Sequence, residues 1–368
     1  MRASAFPGIL GHARTLRALE RALREGRLGS ALLFHGPSGV GKLSVAIEVC
    51  RHLLCRAGVG QACRVCDLCR RVSAAALLHP DLGLLYPQRR EDAAEKSSGE
   101  APLSAPDLHA IQDEARMNAA WRILARPTRD RLADLFLSPA AGPRRILLVL
   151  CAERLQEESG NALLKVLEEP PAGAVLLLLS ESPSALLPTI RSRCRAFPFG
   201  TLSREEIARF LAKEKEIPPT QAASLASLSG GRIGPALALC ENVESYRDRR
   251  ERMSRTLVEA RRQGTAAAAL AAASEADSRE REIQDELSIL SDLLRDAMLA
   301  DCGCPDKLLT YRPPPGKEEP AFAAGEAAAA LARVERARED LRRHVNRTLA
   351  LESLFLDLVK TPPGGVLL

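Results

Sequence analysis

Apolar residues follow two different spacings along the chain. Residues 14–25 place Leu16, Leu19, Ala22 and Leu23 at helical spacing, which predicts an amphipathic helix. Residues 31–36 predict a short buried strand that ends in a glycine turn. Two continuous apolar runs bounded by Pro and Gly, residues 144–150 and 174–180, are typical of strands buried on both faces of a parallel sheet. Residues 156–171 predict a helix between the last two strands, ended by its prolines.

This alternation of strands and helices predicts an α/β nucleotide-binding core over residues 1–199, built on a parallel sheet. Residues 200–242 contain short amphipathic segments interrupted by Pro and Gly, which indicates a small helical lid. From 243 to 368 the pattern is helical apart from residues 311–320, so we expect an all-α domain suited to assembly with other chains.

The composition adds three constraints. With 368 residues, 46% of them apolar and only 3% aromatic, the chain is long enough for more than one domain and favours helix over an all-β fold. A net charge of +5 is below that of a dedicated nucleic-acid binder. No apolar run reaches the length that spans a bilayer, and the N-terminus lacks a secretory apolar stretch, so we expect a cytoplasmic protein without a membrane partner.

The first candidate site is a glycine-rich loop that follows the first predicted strand and precedes a helix. Its pattern, G-x-x-x-x-G-K, lets backbone N–H groups surround phosphate while a lysine contacts the outer phosphates. The predicted nucleotide-binding residues are Gly36, Pro37, Ser38, Gly39, Val40, Gly41 and Lys42. A nucleotide such as ATP could bind here through the backbone and the lysine.

The magnesium positions of this loop are degenerate. Leu43 stands where a Ser or Thr hydroxyl would ligate Mg²⁺, and Ser44 cannot replace it because one helical residue turns the side chain by about 100°. Leu150 and Cys151 stand where an ATPase has the Asp and Glu that hold the metal and polarise water. Glu153 lies too late in the chain, and we expect it to be a surface charge. Efficient hydrolysis is not expected at this site.

The second candidate site is a cysteine cluster with the spacing C-x7-C-x2-C-x2-C. Four thiolates at such intervals suit tetrahedral Zn²⁺, and they leave no open position for catalysis, so the ion would be structural. The predicted ligands are Cys55, Cys63, Cys66 and Cys69. An iron–sulfur cluster and a redox disulfide are the alternatives. The zinc module would cover about residues 50–80. Cys50 lies on an apolar helix and is expected in the core, not among the ligands.

Several motifs together resemble the delta-prime subunits of the bacterial DNA polymerase III clamp loader, a family of the AAA+ group. The phosphate loop alone would not be specific; the combination is. The matching stretches are residues 8–42, the cysteine cluster, "HPD" at 79–81, "SGNALLKVLEEPP" at 159–171, "LLPTIRSRC" at 186–194 and "HVNRTLALESLFLDL" at 344–358.

The resemblance implies an AAA+ core carrying zinc, a small lid and a helical collar that joins gamma/tau and delta subunits in a hetero-pentamer. That complex opens the sliding clamp and sets it on primed DNA. Within it, this chain would be a subunit of the DNA polymerase III holoenzyme that has neither ATPase nor polymerase activity of its own. Arg193 would correspond to the arginine finger that reaches ATP held by a neighbouring subunit; the alternative is an ordinary surface arginine.

One feature of the lid departs from the family, and two other hypotheses compete with this interpretation. Pro235 occupies the lid position where the family usually has a nucleotide-sensing arginine, and Arg232 is displaced from it. The same resemblance also includes the ATP-hydrolysing gamma/tau motor subunit, against which the magnesium positions argue. A third hypothesis is a zinc protein that contacts DNA through residues 247–255, although the low aromatic content offers no platform for stacking bases.

Overall fold

The computed structural model describes most of the chain, in two compact units. The described residues are 5–58, 60–72, 77–89, 108, 111–112, 115, 120–241, 243–277, 283–304, 322–342 and 346–360. The first unit comprises Met1–Glu206 with Arg232–Gly234, and the second comprises Ile207–Gly231 with Pro235–Leu368.

The first unit alternates strands with helices. The strands are β1 (Ala31–His35), β2 (Leu82–Leu85), β3 (Arg145–Val149), β4 (Ala174–Ser180) and β5 (Arg195–Pro198). The helices are α1 (Ala13–Arg24), α2 (Lys42–Leu54), α3 (Asp67–Arg70), α4 (Ala125–Asp134), α5 (Glu157–Glu168) and α6 (Pro188–Arg193), with 3₁₀ turns at Ala152–Arg154 and Pro183–Ala185.

The strands form one parallel sheet in the order β2-β3-β4-β1-β5. In this order β1, which leads into the phosphate loop, lies between β4 and β5. His35 at the end of β1 pairs in register with Ser180 of β4 and Pro198 of β5. The carboxyl ends of these strands therefore meet beside the loop, where ligands bind in open α/β sheets.

Both faces of the sheet are covered, which explains the continuous apolar runs. Along β1, Leu32 and Phe34 belong to one buried cluster while Leu33 belongs to another. The same alternation occurs in β3, where Leu148 and Leu147 point to different clusters. Successive residues of a strand face opposite sides of the sheet. When both sides are buried, every position is apolar and the usual alternation of apolar and polar residues is absent.

Asp81 fixes the loop that leads into β3. Its carboxylate accepts hydrogen bonds from the backbone N–H groups of Ala140, Ala141 and Gly142 at 2.6, 2.8 and 2.7 Å. Burial alone would raise the pKa of Asp81, but these three donors outweigh it and hold the pKa below its usual value. The Asp81 N–H in turn donates to Nδ1 of His79 at 3.0 Å. Through Asp81, the "HPD" stretch is thus held to residues 140–142.

The second unit is helical. Its helices are α7 (Arg204–Glu214, from Ile207 on), α8 (Pro219–Leu228), α9 (Ile233–Glu241, from Pro235 on), α10 (Val243–Gln263), α11 (Ala266–Asp277), α12 (Ile283–Asp301), α13 (Ala324–Arg342) and α14 (Arg347–Lys360). Helix α11 packs against α14, and α12 against α13. Their core includes Leu257, Leu290, Leu294, Leu354 and Phe355.

A buried ion pair crosses this helical core. Arg250 of α10 donates to Asp296 of α12 at 2.9 Å, and both side chains are about 1% exposed. Pairing offsets the cost of burying either charge. Arg250 lies in the middle of residues 247–255, the stretch considered above for DNA contact, and a buried guanidinium cannot reach a phosphate. This weakens the DNA-binding hypothesis.

The predicted α/β core with a parallel sheet and the helical C-terminal part are confirmed. The division at residues 200 and 243 stays a prediction, and residues 90–104 and 311–320 lie outside the described part of the chain. Strands β2 and β5 and helix α4 were not predicted. Among the described helices, none combines the length and apolarity required to cross a membrane.

Candidate functional site

The phosphate loop connects β1 to α2, and two of its glycines are required by its shape. Gly36 has φ of 142°, and a Cβ there would come within 1.9 Å of the Phe199 carbonyl oxygen. Gly41 has φ of 103° directly before the first residue of α2. L-residues with side chains rarely adopt these conformations, so the loop depends on glycine for its close path around the helix start.

Lys42 directs its ammonium at the loop itself. Its Nζ donates to the carbonyl oxygens of Gly36 and Pro37, both at 2.6 Å, and the residue is only 7% exposed. His35 lies at the end of β1 beside it, and burial together with the charge of Lys42 lowers the pKa of this histidine. The lysine of the predicted cradle is therefore buried and bound by its own backbone.

Two further carbonyls of the loop are also bound by the first unit. Gly39 accepts from the backbone N–H of Gly234 at 2.8 Å, and Val40 accepts from Nε2 of His12 at 2.8 Å. Gly234 belongs to the short stretch Arg232–Gly234 that folds with this unit. A Cβ on Gly234 would lie 3.1 Å from the Gly39 Cα, so the two backbones are in close contact.

The three positions that normally hold magnesium are all buried and without an oxygen ligand. Leu43 is 5% exposed and packs in the core, whereas Ser44 beside it faces solvent. Leu150, at 0% exposure, follows the end of β3. Cys151 is buried as well and turns the chain with φ of 51°. None of these three side chains carries a carboxylate or hydroxyl, and the lack of a magnesium site at this loop stays a prediction.

Glu153 is not the surface charge that we predicted. It is partly buried in the 3₁₀ turn after β3, and it accepts a hydrogen bond from the Glu181 backbone N–H at 3.3 Å. Burial raises the pKa of Glu153 above its ordinary value. The left-handed turn at Cys151 brings Glu153 back against the end of β4, a reversal that the local sequence does not reveal.

The four predicted zinc ligands come together. All four Sγ atoms lie within 4.8 Å of one another, with Cys55 and Cys66 at 4.0 Å and Cys63 and Cys69 at 3.9 Å. A zinc ion with Zn–S bonds of about 2.3 Å would place the sulfurs about 3.8 Å apart. The observed spacing fits a tetrahedral Cys₄ centre. Cys50 is separate, fully buried in the core, and burial raises its pKa to about 12.

Backbone donors support thiolate charge in this cluster. The N–H groups of Cys63, Cys66 and Cys69 each donate to the Sγ of another ligand at 3.4 Å. Donors from Cys66 and Val65 lower the pKa of Cys63 to about 6, while burial raises that of Cys69 to about 12. A bound zinc ion would hold all four ligands as thiolates.

An ion-pair group fixes the cysteine module to the sheet domain. Glu48, on α2 and 7% exposed, accepts from Arg64 at 3.0 Å and pairs with Arg51 of the same helix. Arg64 also donates to the Ala5 carbonyl at 2.9 Å. The guanidinium inside the cysteine motif thus connects the module to helix α2, which also carries the first ligand, Cys55, directly after its last residue.

Arg193 is the last residue of α6 and lies on the surface. Its guanidinium is 2.9 Å from the Glu168 carboxylate, the last residue of α5, and Nη1 donates to the Thr189 carbonyl at 3.2 Å. The Arg193 side chain is 37% exposed, and the next residue, Cys194, is buried. The charged tip therefore projects from a fixed backbone position.

The neighbouring arginines have different partners. Arg191 donates to the Pro183 carbonyl at 3.5 Å, at the limit of a hydrogen bond. Arg195 donates to the Arg27 carbonyl at 2.8 Å and lies over the ring of Phe197. Among these three arginines, which all lie in the described part of the chain, Arg193 alone forms an ion pair with a carboxylate, and this distinguishes it from the other two.

Comparison with known sequences identifies the family of this chain. A family model described as "DNA polymerase III, delta subunit" matches residues 11–203, slightly more than half of the chain. The chain belongs to the DNA polymerase III clamp-loader subunits of the AAA+ group. This agrees with the resemblance that the sequence motifs indicated.

Individual relatives include both subunit types. The chain is 34% identical over 206 residues to the DNA polymerase III subunit delta' of Pseudomonas aeruginosa, covering 55% of this chain and 52% of the relative. It is 26% identical over 231 residues to the delta' subunit of Bacillus subtilis, covering 63% and 60%. It is 32% identical over 207 residues to the tau subunit of Salmonella typhimurium, covering 56% and 27%. The chain spans only part of the length of each relative.

Two residues of this clamp-loader subunit were missed by sequence reasoning. Glu168 lies in the "LEEPP" stretch, but the sequence does not distinguish it from Glu169 as a partner for an arginine 25 positions later. Gly234 lies in "GGRIG", where we considered only arginine sensing; its role is to let the backbone approach Gly39. The recurrent glycines were the available signal for that close contact.

Proposed function

We propose that this chain is the non-hydrolysing delta-prime subunit, the stator, of a DNA polymerase III clamp loader. In this role it joins gamma/tau and delta subunits in a hetero-pentamer, works in the cytoplasm, and helps to load the sliding clamp onto primed DNA. The Cys₄ centre holds a structural zinc ion in this proposal. The chain's own loop contributes no hydrolysis, whether or not ATP occupies it.

The observation that carries the proposal is the burial of apolar and thiol side chains at all three magnesium positions. Leu43, Leu150 and Cys151 offer no oxygen to the metal that an ATPase requires to neutralise phosphate charge. A single replacement could be compensated by water or a neighbouring group. Three at once remove both the metal ligands and the group that polarises water.

Arg193 gives the subunit a role in catalysis elsewhere. An exposed guanidinium at the end of a helix can enter a neighbouring subunit's active site and stabilise the charge that develops on the transferred phosphoryl group. We therefore propose that Arg193 acts as an arginine finger in trans. The alternative, a hydrolysing gamma/tau-like motor subunit, draws on the 32% identity to a tau subunit.

The test is ATP turnover by the complex reconstituted with its partner subunits, clamp and primed DNA. Arg193→Ala is expected to assemble normally and to lower turnover by at least about tenfold, since arginine fingers contribute roughly 10³–10⁵-fold to the rate of the site that they enter. Arg191→Ala, an exposed arginine on the same helix, is the matched control and should leave turnover near that of the wild type. Equal turnover in the wild type and the Arg193 variant would remove the finger role.

A further inference from the structure

The Arg193 guanidinium is held by two acceptors within its own subunit. The Glu168 carboxylate forms an ion pair with Nη2 at 2.9 Å, and the Thr189 carbonyl accepts a hydrogen bond from Nη1 at 3.2 Å. A guanidinium has five N–H donors in a rigid planar fork. An ion pair at one nitrogen and a hydrogen bond from another therefore orient the group, and further N–H donors remain for an outside anion.

Both acceptors lie on helices that pack tightly together. Gly160 of α5 faces Leu187 and Ile190 at α6, and a Cβ added to Gly160 would lie 3.1 Å from a Leu187 methyl group. Ile190 is 1% exposed and belongs to the same buried cluster as Leu163 and Leu167 of α5. The distance between the ends of α5 and α6, where Glu168 and Arg193 stand, is thus set by core packing.

The location of Glu168 is electrostatically unfavourable for its own helix. It is the last residue of α5, where the helix macrodipole places partial negative charge, and a carboxylate there is repelled. Lys, Arg or His is the favoured residue at such a position. Helix stability therefore does not explain this carboxylate, whereas its contact with Arg193 does.

We propose that Glu168 is a positioning residue for Arg193. The inference rests on the proposed finger function and specifies how that function is prepared. A free arginine side chain loses considerable rotamer freedom when it engages a phosphate, and a side chain already oriented by Glu168 loses less. Glu168 itself is not catalytic, because it acts only through the guanidinium.

The chain provides a matched control at the next position. Glu169 is also exposed, carries the same charge, and has no ion pair to any residue in the described part of the chain. Changing Glu169 alters the local charge equally but leaves the Arg193 contact intact. A difference between the two variants therefore reports the specific contact and not the general field of negative charge.

The experiment is a double-mutant cycle in the reconstituted complex, with kcat and KM for ATP measured separately. Glu168→Ala is expected to lower kcat about two- to threefold, as an exposed ion pair of modest strength allows, with KM unchanged because the nucleotide is held by the neighbour. Glu169→Ala should have no effect. In the Arg193→Ala background, Glu168→Ala should cause no further loss, since there is no guanidinium left to orient.

The outcomes separate the two proposals. If Arg193→Ala slows turnover but Glu168→Ala does not, or raises it, the positioning role is wrong and the finger stands. If Glu168→Ala slows turnover by the same factor with and without Arg193, it acts by another route and the inference is also wrong. If Arg193→Ala has no effect, the finger and the inference both fail. Should Glu168→Ala not assemble, Glu168→Gln takes its place in the same cycle.

Discussion

The two ends of helix α2 carry two sites of opposite completeness. At its N-terminal end, Gly41 and Lys42 complete a phosphate loop in which Leu43 replaces the metal-binding hydroxyl. At its C-terminal end, Cys55 is the first of four thiols gathered within 4.8 Å of one another. One site retains its backbone shape without its metal chemistry, and the other retains a full donor set.

This difference shows which part of each site depends on backbone and which on side chains. The loop glycines permit its unusual backbone angles, and the Lys42 ammonium and the Gly234 N–H donate hydrogen bonds to its carbonyl groups. These interactions hold the shape of the loop without a nucleotide. A Cys₄ centre has no such independence, because its four ligands repel one another as thiolates without a cation. The loop can therefore survive as a structural element, whereas we expect the cysteine module to depend on a bound metal ion.

The largest expected effect follows from removing one zinc ligand. Cys66→Ser should lose the metal and lower the thermal stability strongly, since structural zinc is worth roughly 10–16 kcal/mol in small zinc-finger peptides. Elemental analysis and thermal unfolding of the full chain measure both. Wild-type protein should contain about one zinc per chain.

Cys302→Ser is the matched control, because Cys302 is exposed and outside the cluster. It should leave both metal content and melting temperature unchanged. If wild-type protein purified without chelators contains no zinc, the cysteine cluster does not bind this metal, and the contrast with the phosphate loop at the other end of α2 is wrong.

A smaller effect is expected from restoring the hydroxyl at the loop end. Leu43→Thr removes buried apolar contacts and should cost roughly 1–3 kcal/mol of unfolding free energy. It should not create ATP turnover, since Leu150 and Cys151 still provide no carboxylate. Ser44→Thr at the adjacent exposed position is the control for stability. Magnesium-dependent turnover by Leu43→Thr would show that the loop lacks only this hydroxyl, in contradiction to the role given to Leu150 and Cys151.

The burial of Glu153 after β3 is expected to make the stability of the chain depend on pH. Its folded pKa is raised by burial, so its stabilising contribution is complete below the unfolded value near 4.5 and is lost as pH rises through the folded pKa. Glu153→Gln keeps an acceptor for the Glu181 N–H and should stabilise the chain at pH 7 by on the order of 0.5 kcal/mol. The gain should vanish towards pH 4. Glu169→Gln, at an exposed position, should show no such trend; a gain independent of pH would contradict the assignment.

The smallest effect is expected for the loop lysine. In an active ATPase, loss of this lysine removes a charge that contacts the outer phosphates. Here the Lys42 ammonium binds the carbonyls of its own loop. Lys42→Ala should therefore change ATP turnover of the reconstituted complex by less than about twofold, a much smaller effect than that of Arg193→Ala. A loss as large as that of the Arg193 variant, in a chain that still folds and assembles, would mean that this loop takes part in ATP turnover.

The sequence predicted the core of the fold because burial on both sides leaves a clear signal. The apolar runs of β1, β3 and β4 were identified from that signal alone. Strand β5 was missed because three of its four residues are exposed at the sheet edge, so its sequence lacks a continuous apolar run. Strand β2, also at an edge, has only four residues.

The candidate sites divide in the same way. Residues close in sequence, such as the cysteines and the phosphate loop, could be assigned because a short chain segment brings them together. Glu153 and the contact between Glu168 and Arg193 could not, since each depends on a chain reversal or on packing between helices. Local spacing carries no information on either.

We propose above that this clamp-loader subunit does not hydrolyse ATP at its own loop. The most direct measurement is the rate of phosphate release from ATP and Mg²⁺ by the purified chain without other subunits. We expect a rate equal to that of a protein-free control. A saturable, magnesium-dependent turnover of about 1 per second, within the usual range of enzymes and abolished by Lys42→Ala, would contradict the account.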